Sequence, residues 1–450
     1  MKNDLRQKLH LEPKKGWLND PNGLSFFGGA YRVYFQYSPD SPYGDGDKCW
    51  GYFEGRDLLD WKYMGAVIRP DIREDINGVY SGSGLVRGDK LYLFYTGNVK
   101  EDGDYDYITC GRGANVILVT TTDGRHMSGK RVLLRNSDYP EYCSCHVRDP
   151  KVWEENGSYR MVLGARTLED KGCVLFYRSD DLLDWHFEKS VGKDDLGYMW
   201  ECPDVIRLGG RRFLSISPQG LPHGMYSHQN VYSAGYFAFD GEVPREFEEW
   251  DYGFDFYAPQ SFTAPDGRTL LIGWMGIGDI PYKNPTAELG WQHCLTIPRE
   301  LSVGKNGRII QRPFRELGRL KKEPPVSIAQ GENVTAKLPF CFASAACEDS
   351  FSLRLSDAVE LRAENGVFSL KFPDERAGGG RDIRRVKVGE CRSLEVIADM
   401  TSLEIFLNGG EKVMSTRFYP DETALTVAAD GITGIIHELA EMRVMTDGNG

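Results

Sequence analysis

Three acidic residues lie in local sequences that suit them to glycoside hydrolysis: Asp20, Asp149 and Glu201. This reaction needs one carboxylic acid that protonates the leaving oxygen. It also needs a second carboxylate that attacks the anomeric carbon or activates a water molecule. The chain holds 66 Asp and Glu residues, and most of these are expected to be solvated surface charges. The prediction of a catalytic role therefore depends on the local sequence around each of the three residues.

Glu201 lies in residues 199–204 (MWECPD), between Trp200 and Cys202. These two neighbours predict that its carboxyl group is shielded from water, which disfavours the charged form. A carboxylic acid that keeps its proton near neutral pH is what general acid catalysis requires. The local sequence therefore suits Glu201 to donate a proton.

Asp20 and Asp149 have polar neighbours that favour the ionised form. Asn19 precedes Asp20, and Arg148 places a positive charge next to Asp149. A structural alternative exists for Asp20, because residues 19–23 read NDPNG, a strong turn sequence by itself. The other two sites are what favour a catalytic interpretation.

A turn followed by an apolar strand recurs five times and indicates which elements position these carboxylates. The copies are roughly 54 to 68 residues apart, an interval that holds about four short strands and their turns. A radial array of four-stranded sheets has this signature. We predict an all-β fold that begins with a five-bladed β-propeller over residues 10–315. The five strands lie at residues 28–38, 88–97, 156–166, 209–219 and 266–276.

A polar residue precedes each of these strands at nearly the same spacing. Equivalent positions of propeller blades surround the axis at one height. The residues are therefore predicted to converge on one polar pocket at the mouth of the central channel. The alternative is that all-β proteins repeat a turn and a strand by chance. The five residues are Asp20, Ser81, Asp149, Glu201 and Tyr257.

The pattern changes near Leu320, where Pro324-Pro325 indicates a linker at residues 319–326. Beyond it, alternating strands are separated by the hairpin signals Asn365-Gly366 and Asn408-Gly409. We predict a catalytic propeller over residues 1–318 and a C-terminal β-sandwich over residues 319–450. The predicted strands of the sandwich include residues 350–355, 367–372, 394–398 and 403–407.

Composition excludes several classes of partner. The net charge of −12 argues against nucleic acid and anionic membranes, which bind basic surfaces. No secretory signal and no apolar stretch of membrane-spanning length is visible, so we expect a cytoplasmic protein. The ten cysteines form no Cys-x-x-Cys pair and are expected to be free thiols. No cofactor and no metal is expected, and a homo-oligomer is left open.

The sequence resembles glycoside hydrolase family 32, which includes invertases, fructanases and sucrose-6-phosphate hydrolases. Residues 17–23 (WLNDPNG) resemble the motif that opens the family's chains, and residues 148–150 (RDP) and 200–204 (WECPD) resemble its second and third motifs. Residues 399–419 resemble its C-terminal sandwich. Further matching segments lie at residues 34–36, 80–83, 256–260 and 273–276. The resemblance therefore spans nearly the whole chain.

The resemblance implies a retaining hydrolase that cleaves β-fructofuranosyl bonds of sucrose, sucrose 6-phosphate or short fructo-oligosaccharides. It implies that Asp20 attacks the fructosyl C2 and that Glu201 protonates the leaving oxygen and then activates water. Asp149 would stabilise the transition state. The alternatives are a fructosyltransferase on the same scaffold and a sugar-binding propeller without catalysis. The substrate-binding residues that the resemblance implies are Asn19, Gln36, Trp50, Tyr80, Ser81, Arg148, Tyr257 and Trp274.

One segment departs from the family pattern. Many members have Trp-Gly-His-Ala where residues 50–53 read WGYF, so Tyr52 replaces the histidine. Tyr52 is expected either to pack between blades or to alter specificity near the pocket rim. A 6-phosphate on the substrate would need a cationic side chain there, and the loops with Lys48, His146 and His223 are candidate sources.

Overall fold

The computed structural model describes residues 5–240 and 246–446, and this part of the chain is built almost entirely of β-strands. The all-β prediction is confirmed. The ends of the two predicted domains, at residues 1–4 and 447–450, lie outside the described residues. Within residues 5–240 and 246–446, none of the helical segments is long and apolar enough to cross a membrane. These segments are the α-helical turn Glu375–Gly378 and the 3₁₀ turns Arg73–Asp75, Asn136–Asp138, Pro285–Leu289 and Arg315–Leu320.

Antiparallel sheets follow one another between Gly16 and Pro313 and form a β-propeller, and we number them in chain order. Sheet 1 comprises Gly16–Phe27, Ala30–Ser38, Cys49–Gly55 and Asp60–Ile68. Sheet 2 comprises Val79–Arg87, Lys90–Lys100, Arg112–Thr121 and Arg131–Leu134. Sheet 3 comprises Cys143–Glu155, Ser158–Thr167, Gly172–Ser179 and His186–Gly192. Sheet 4 comprises Met199–Leu208, Arg211–Gln219, Gly235–Ala238 and Glu248–Glu249. Sheet 5 comprises Tyr257–Thr263, Thr269–Met275, Arg299–Val303 and Ile309–Pro313. The short strand Cys294–Leu295 pairs with the second strand of sheet 5.

The apolar segments predicted from the sequence are the second strands of these sheets. Ala30–Ser38, for example, is buried at every position. A strand that is paired at both edges and covered on both faces has no solvated side, which explains its continuous apolar run. The polar residues that precede the apolar segments lie on the first strands, next to the propeller axis.

Each first strand contains a β-bulge, which lies near the beginning of the strand in sheets 1, 2, 4 and 5 and at its middle in sheet 3. In every sheet the ladder between the first and second strands places two residues of the first strand opposite one residue of the second. A bulge bends the strand and redirects side chains that regular alternation would send elsewhere. The bulged pairs are Asn19-Asp20, Tyr80-Ser81, Asp149-Pro150, Cys202-Pro203 and Ala258-Pro259.

Three of these bulges force a residue other than glycine into the left-handed backbone region. The φ angles are +62° at Asp149, +46° at Cys202 and +48° at Ala258. Such conformations cost about 1–3 kcal/mol each and persist where the surroundings impose them. All five predicted polar residues lie in a bulge or directly before one, so the bulges determine where these side chains point.

The C-terminal part is a ten-stranded, sandwich-like sheet that folds over on itself. The long strand Phe340–Leu355 pairs with Leu394–Ala398 along its first half and with Val359–Glu364 along its second half. The two layers share one apolar core that includes Leu353, Leu361 and Leu403. The remaining strands are Val326–Ile328, Asn333–Lys337, Val367–Lys371, Ile383–Lys387, Ser402–Leu407, Lys412–Arg417 and Ala424–Glu438.

Buried ion pairs join the C-terminal sheet to the propeller. Arg299 of sheet 5 donates to Glu404 at 2.7 Å and to Asp251 at 3.0 Å, and all three side chains are fully buried. Arg381 pairs with Asp255 in the same way at 2.7 Å. A shift of the sheet against the propeller would separate the partners of these buried pairs. Such a shift is strongly unfavourable, because it leaves an uncompensated charge in the interior. These pairs therefore fix how the sheet lies on the propeller.

Two short strands extend sheet 1 beyond its four strands. Trp291–Gln292 runs parallel to the first strand, and Arg443–Thr446 runs parallel to the fourth. The second of these comes from the end of the chain, beyond the C-terminal sheet. This return of the chain to the propeller was not predicted, because a four-residue strand carries too little periodicity to be detected in the sequence.

Candidate active site

A cavity of about 280 Å³ lies where the bulged strands converge. Sheets 1 to 5 all contribute to its wall, and the three predicted catalytic carboxylates face the same space. A concave site with a few convergent polar groups is the usual form of a small-ligand site. The predicted residues in the wall are Asn19, Asp20, Gln36, Tyr80, Ser81, Arg148, Asp149, Glu201, Tyr257 and Trp274.

Trp50 is the one predicted substrate-binding residue that does not line this cavity. Its side chain is fully buried, and its indole Nε1 donates to the backbone carbonyl of Tyr80 at 3.0 Å. Trp50 thus supports the wall from behind. Its sequence neighbour Tyr52 is also fully buried and stacks on Tyr34 with ring centroids 4.5 Å apart. Its hydroxyl accepts from Arg32 and donates to Glu54 Oε2 at 2.9 Å, so Tyr52 is packed and hydrogen-bonded within sheet 1.

Asp20 is held by donors from two sheets. Ser81 Oγ donates to Asp20 Oδ2 at 2.5 Å, and Asn19 Nδ2 donates to Oδ1 at 3.2 Å. Trp17 Nε1 fixes the Asn19 amide by donating to its Oδ1 at 3.0 Å. Burial raises the pKa of Asp20, while the bond from Ser81 acts against that rise. The carboxylate is therefore oriented and partly desolvated, as a nucleophile requires.

Glu201 accepts hydrogen bonds from three sides. Tyr257 OH donates to Oε2 at 2.7 Å, Gln219 Nε2 donates to the same oxygen at 2.9 Å, and Arg148 Nη2 lies 3.2 Å from Oε1. These contacts fix the plane of the carboxyl group. Its side chain is 17% exposed at the cavity, so it can still reach a ligand.

The predicted shielding of Glu201 by its sequence neighbours is wrong. The Trp200 indole is turned away and donates to Leu196 O at 2.7 Å. The Cys202 thiol lies between the other two carboxylates, with Sγ 3.5 Å from Asp20 Oδ2 and 3.6 Å from Asp149 Oδ2. Neighbours on a strand point to opposite faces, and the surroundings of Glu201 come from other strands instead.

Asp149 is buried, and its pKa is raised to about 7. Burial is the main cause, and the nearby charge of Glu201 adds to it, although Arg148 acts in the opposite direction. Asp149 Oδ2 accepts from the backbone N–H of Cys202 at 2.9 Å. The expectation that Arg148 keeps Asp149 ionised is therefore wrong, because desolvation outweighs the neighbouring charge.

Arg148 forms its contacts away from its sequence neighbour. Besides Glu201, its guanidinium reaches Nδ1 of His146 at 2.7 Å, and His146 Nε2 lies 3.0 Å from Tyr107 O. Burial, with help from Arg148, lowers the pKa of His146 to about 3. A neutral ring then accepts at Nδ1 and donates at Nε2. His146 thus orients Arg148 and does not line the cavity.

The three proposed sources of a cation at the rim have different positions. Lys48 lines the cavity and donates to Gly44 O, and burial lowers its pKa. His223 is exposed and is not part of the cavity wall, and neither is His146. Lys48 is therefore the one of these three residues that can contact a ligand in the cavity.

Aromatic rings form one side of the cavity. Trp274 lies edge-on to Trp17 and to Tyr257, with centroids 5.8 and 6.4 Å apart. Tyr232 packs on Tyr257 at 5.9 Å and donates through its hydroxyl to Asp279 Oδ2 at 2.6 Å. Such rings offer flat apolar surface to a sugar.

Sequence reasoning missed several wall residues. Trp17 and Gln219 lie in segments that the sequence analysis or its motifs contain, but no role was assigned to them. Tyr232 and Asp279 come from loops that follow the second strands of sheets 4 and 5, where no pattern marked them. The wall residues without a predicted binding role are Trp17, Gln219, Tyr232, Gly278 and Asp279.

The three catalytic candidates do not form a metal site. Across residues 5–240 and 246–446, no group of three or more His, Cys, Asp or Glu side chains is placed to hold a metal ion. The contacts of Asp20 and Glu201 are to hydroxyl, amide, guanidinium and thiol donors, which are partners of carboxylates in acid–base and nucleophilic chemistry.

Sequence comparison identifies the family. Residues 10–313 match the glycosyl hydrolases family 32 N-terminal domain, and residues 359–440 match the C-terminal domain of that family. The chain belongs to glycosyl hydrolase family 32. It is therefore a glycoside hydrolase.

Relatives of this family 32 hydrolase match it over nearly their whole length. A sucrose-6-phosphate hydrolase of Bacillus subtilis is 36% identical over 442 residues, which cover 92% of this chain and 89% of the relative. A raffinose invertase of Escherichia coli is 36% identical over 435 residues, with coverage of 92% and 89%. A solved sucrose-6-phosphate hydrolase of Lactobacillus gasseri superposes with a TM-score of 0.89 at 27% identity, with coverage of 98% and 94%.

The β-fructofuranosidase of Bombyx mori also superposes on the chain. Its TM-score is 0.85 at 28% identity, and the match covers 98% of this chain and 95% of that one. The match includes the C-terminal sheet, because it extends over nearly all of both chains. The order of propeller and sandwich-like sheet is therefore shared with this enzyme.

Proposed function

We propose that this family 32 enzyme hydrolyses the β-fructofuranosyl bond of sucrose-type substrates: sucrose, sucrose 6-phosphate or short fructo-oligosaccharides. The observation that carries the proposal is the convergence of Asp20, Asp149 and Glu201 on one cavity. The Cys202 Sγ atom lies within 3.6 Å of two of these carboxylates. The names of the similar enzymes, sucrose-6-phosphate hydrolases and an invertase, support this choice of substrate.

The proposed reaction retains configuration at C2 and has two steps. In the first, a carboxylate oxygen of Asp20 bonds to C2 of the fructosyl unit while the bond from C2 to the leaving oxygen breaks. Glu201 gives its proton to that oxygen. In the second, Glu201 takes a proton from water, the water oxygen bonds to C2, and the ester to Asp20 breaks. Each group ends in its starting state.

The contacts of the three residues support this division of roles. Asp20 accepts from Ser81 and Asn19, which hold it as a carboxylate aimed at the cavity. Glu201 has one hydrogen-bonding hydroxyl, that of Tyr257, on Oε2 and keeps a cavity-facing surface. Asp149 is buried with a raised pKa, so positive charge that develops at C2 would favour its ionised form and be stabilised in return.

We also propose that sheets 1 to 5 are the blades of a closed five-bladed propeller over residues 1–318, followed by a sandwich domain over residues 319–450. Hydrogen bonds between neighbouring first strands support closure. Trp291–Gln292, from the connection within sheet 5, pairs with the first strand of sheet 1. The other links are Gly82 N to Asn22 Oδ1 at 2.9 Å, Ser83 Oγ to Pro150 O at 2.7 Å, Cys202 N to Asp149 Oδ2 at 2.9 Å and Ser261 N to Asp204 Oδ2 at 2.7 Å.

A cytoplasmic location is part of the proposal. All ten cysteines are free thiols, and Cys110 is exposed. Exposed free thiols are usual in reducing compartments and uncommon in secreted proteins. A homo-oligomer stays a prediction that size-exclusion chromatography with light scattering can test.

The proposed function is tested by substitution of the acid and the nucleophile. Glu201→Gln and Asp20→Asn are expected to lower kcat for sucrose at least 100-fold, since a general acid contributes about 10² to 10⁴ in rate. Glu169→Gln, on an exposed turn, is the matched control and should retain full activity. Proton NMR of the first turnovers should show fructose released as the β anomer.

Two results would contradict the proposal. Unchanged hydrolysis by Glu201→Gln would remove the assigned acid/base role, and initial release of the α anomer would exclude retention. Comparison of kcat/KM for sucrose, sucrose 6-phosphate and 1-kestose would then decide which fructoside the enzyme prefers. Arabinosides serve as the negative substrate.

A further inference from the structure

A second polar layer crosses the propeller below the catalytic residues. Its central members are Lys151 of sheet 3 and Asp204 of sheet 4, which we call the axial pair. Lys151 lies two residues after Asp149 on the same strand, and Asp204 lies three residues after Glu201 on the next. The axial pair is absent from the lining of the catalytic cavity, so its members do not touch the substrate.

The axial pair connects three sheets at one point. Lys151 Nζ lies 3.1 Å from Asp204 Oδ2 and donates to Ser261 O of sheet 5 at 2.6 Å. It also reaches Gln260 Oε1 at 3.2 Å. Asp204 Oδ2 accepts from both the backbone N–H and the hydroxyl of Ser261 at 2.7 Å. Asp204 is fully buried, and the Lys151 side chain is 15% exposed.

These contacts span strands that share no backbone ladder. The first strands of sheets 3, 4 and 5 belong to separate sheets, so only side-chain and side-chain-to-backbone bonds set their separation near the axis. The catalytic layer has such bonds as well, from Cys202 N to Asp149 and from Tyr257 to Glu201. Those bonds involve the groups that must exchange protons and partners with the substrate.

The axial pair is therefore the part of the framework that does not change partners during the reaction. The residues that it holds lie two to four positions from Asp149, Glu201 and Tyr257 on the same strands, at the far end of each bulge. A shift of the axial pair therefore moves the bulge, and with it the catalytic side chain that the bulge directs. A misplacement of about 1 Å in a catalytic group costs roughly 100-fold in rate.

We propose that Lys151 and Asp204 are positioning residues for the hydrolysis: they set the separation of the first strands of sheets 3, 4 and 5 and thereby the convergence of Asp149, Glu201 and Tyr257. The inference rests on the proposed roles of these residues. The proposed role concerns the rate of hydrolysis. It is distinct from any contribution that the buried ion pair makes to the free energy of unfolding.

The test measures kcat, KM and Tm for Lys151→Met, Asp204→Asn and the double variant, with sucrose as substrate. Lys130→Met is the matched control, because Lys130 forms a comparably buried pair with Asp75, at 2.5 Å, away from the cavity. Each single variant should lose at least tenfold in kcat while KM stays within about threefold. The double variant removes both charges and should regain Tm, while its kcat stays low.

The outcomes separate positioning from stability. Lys130→Met should lose Tm and keep kcat within twofold of the wild type. The proposal is overturned if Asp204→Asn, the nearly isosteric change, keeps wild-type kcat, or if kcat follows Tm across all four variants and returns in the double variant. If Lys151→Met does not fold, Asp204→Asn decides alone. Activity in Glu201→Gln would instead overturn the proposed function, whatever the axial pair does.

Discussion

The buried carboxyl group of Asp149 is expected to destabilise the folded enzyme at neutral and alkaline pH. Burial raises its pKa from 3.8 to about 7, so the folded state binds a proton more tightly than the unfolded chain. Stability must then fall as the pH rises from about 4 to about 7, and level off above that range. The substitution Asp149→Asn removes the titrating group and should remove this loss.

The size of the effect follows from the pKa difference. One pKa unit corresponds to about 1.4 kcal/mol, so the raised pKa of Asp149 lowers the free energy of unfolding, relative to its value at low pH, by about 1.7 kcal/mol at pH 5 and about 4 kcal/mol at pH 8. The variant should exceed the wild type in free energy of unfolding by these amounts. Its amide oxygen can still accept the bond that the Cys202 backbone N–H donates to Asp149 Oδ2, so geometry is preserved.

The assay is urea denaturation of wild type and Asp149→Asn at pH 5 and pH 8, followed by tryptophan fluorescence. Asp102→Asn, at an exposed position, is the control and should change neither value. Activity of Asp149→Asn should be lost at both pH values. A variant that is no more stable than the wild type at pH 8, or whose advantage is the same at both pH values, would refute the reasoning from burial.

Three further substitutions test single contacts in the cavity. Tyr257→Phe removes a 2.7 Å hydrogen bond to Glu201. The variant should lower kcat about tenfold or more in steady-state assays, since a hydrogen bond to a charged group is worth about 1.5–3 kcal/mol. An unchanged kcat would show that Tyr257 does not act through Glu201. Ser81→Ala removes the hydrogen bond that lowers the pKa of Asp20. The acidic limb of the plot of kcat/KM against pH should therefore move to higher pH. A shift to lower pH would contradict the effect assigned to Ser81 on the pKa of Asp20. Lys48→Met should lower kcat/KM for sucrose 6-phosphate about tenfold and leave that for sucrose unchanged, because a charged bond to phosphate is lost; equal losses on both substrates would exclude phosphate recognition.

Much of the propeller could be predicted from the sequence because each sheet repeats one pattern. Strands that are buried on both faces, such as Ala30–Ser38, have apolar runs that stand out in the sequence. A polar residue stands about 9 to 13 residues before each run, on the preceding strand. That regular offset placed Asp20, Ser81 and Asp149 around one axis without knowledge of side-chain contacts. In the C-terminal sheet, the Asn365-Gly366 turn, with φ angles of +51° and +76°, lies where the hairpin signal predicted it.

The electrostatics of the site could not be predicted in the same way. The inference for Glu201 used Trp200 and Cys202 as neighbours, but alternation along the strand and a bulge turn both away from its carboxyl group. For Asp149 the adjacent Arg148 was visible in the sequence, whereas the depth of burial was not. Both errors have the same origin: the groups that decide protonation come from other sheets.

Wall residues on loops were missed for a related reason. Tyr232 and Asp279 meet across the gap between sheets 4 and 5, where Tyr232 OH donates to Asp279 Oδ2 at 2.6 Å. Neither residue lies in a repeated strand, so no spacing links them. Trp50 shows the opposite case, because its place in a family motif said nothing about the direction of its side chain, which points away from the cavity.

The cavity brings the three catalytic candidates and a fourth carboxylate, Asp279, together, and Arg148 and Lys48 are the cationic residues in its described wall. Such an arrangement opposes folding, since each carboxylate raises the free energy of its neighbours' charged forms. The left-handed backbone at Asp149 and Cys202 adds to that cost. The fully buried pairs of Arg299 with Asp251 and Glu404 beneath the C-terminal sheet do not offset this cost, because both partners lose their hydration on burial. Because the loss of one partner would leave an uncompensated buried charge, these pairs fix how the C-terminal sheet lies on sheet 5. The cost of the carboxylates must instead be offset by apolar burial in the large cores of the propeller and of the C-terminal sheet.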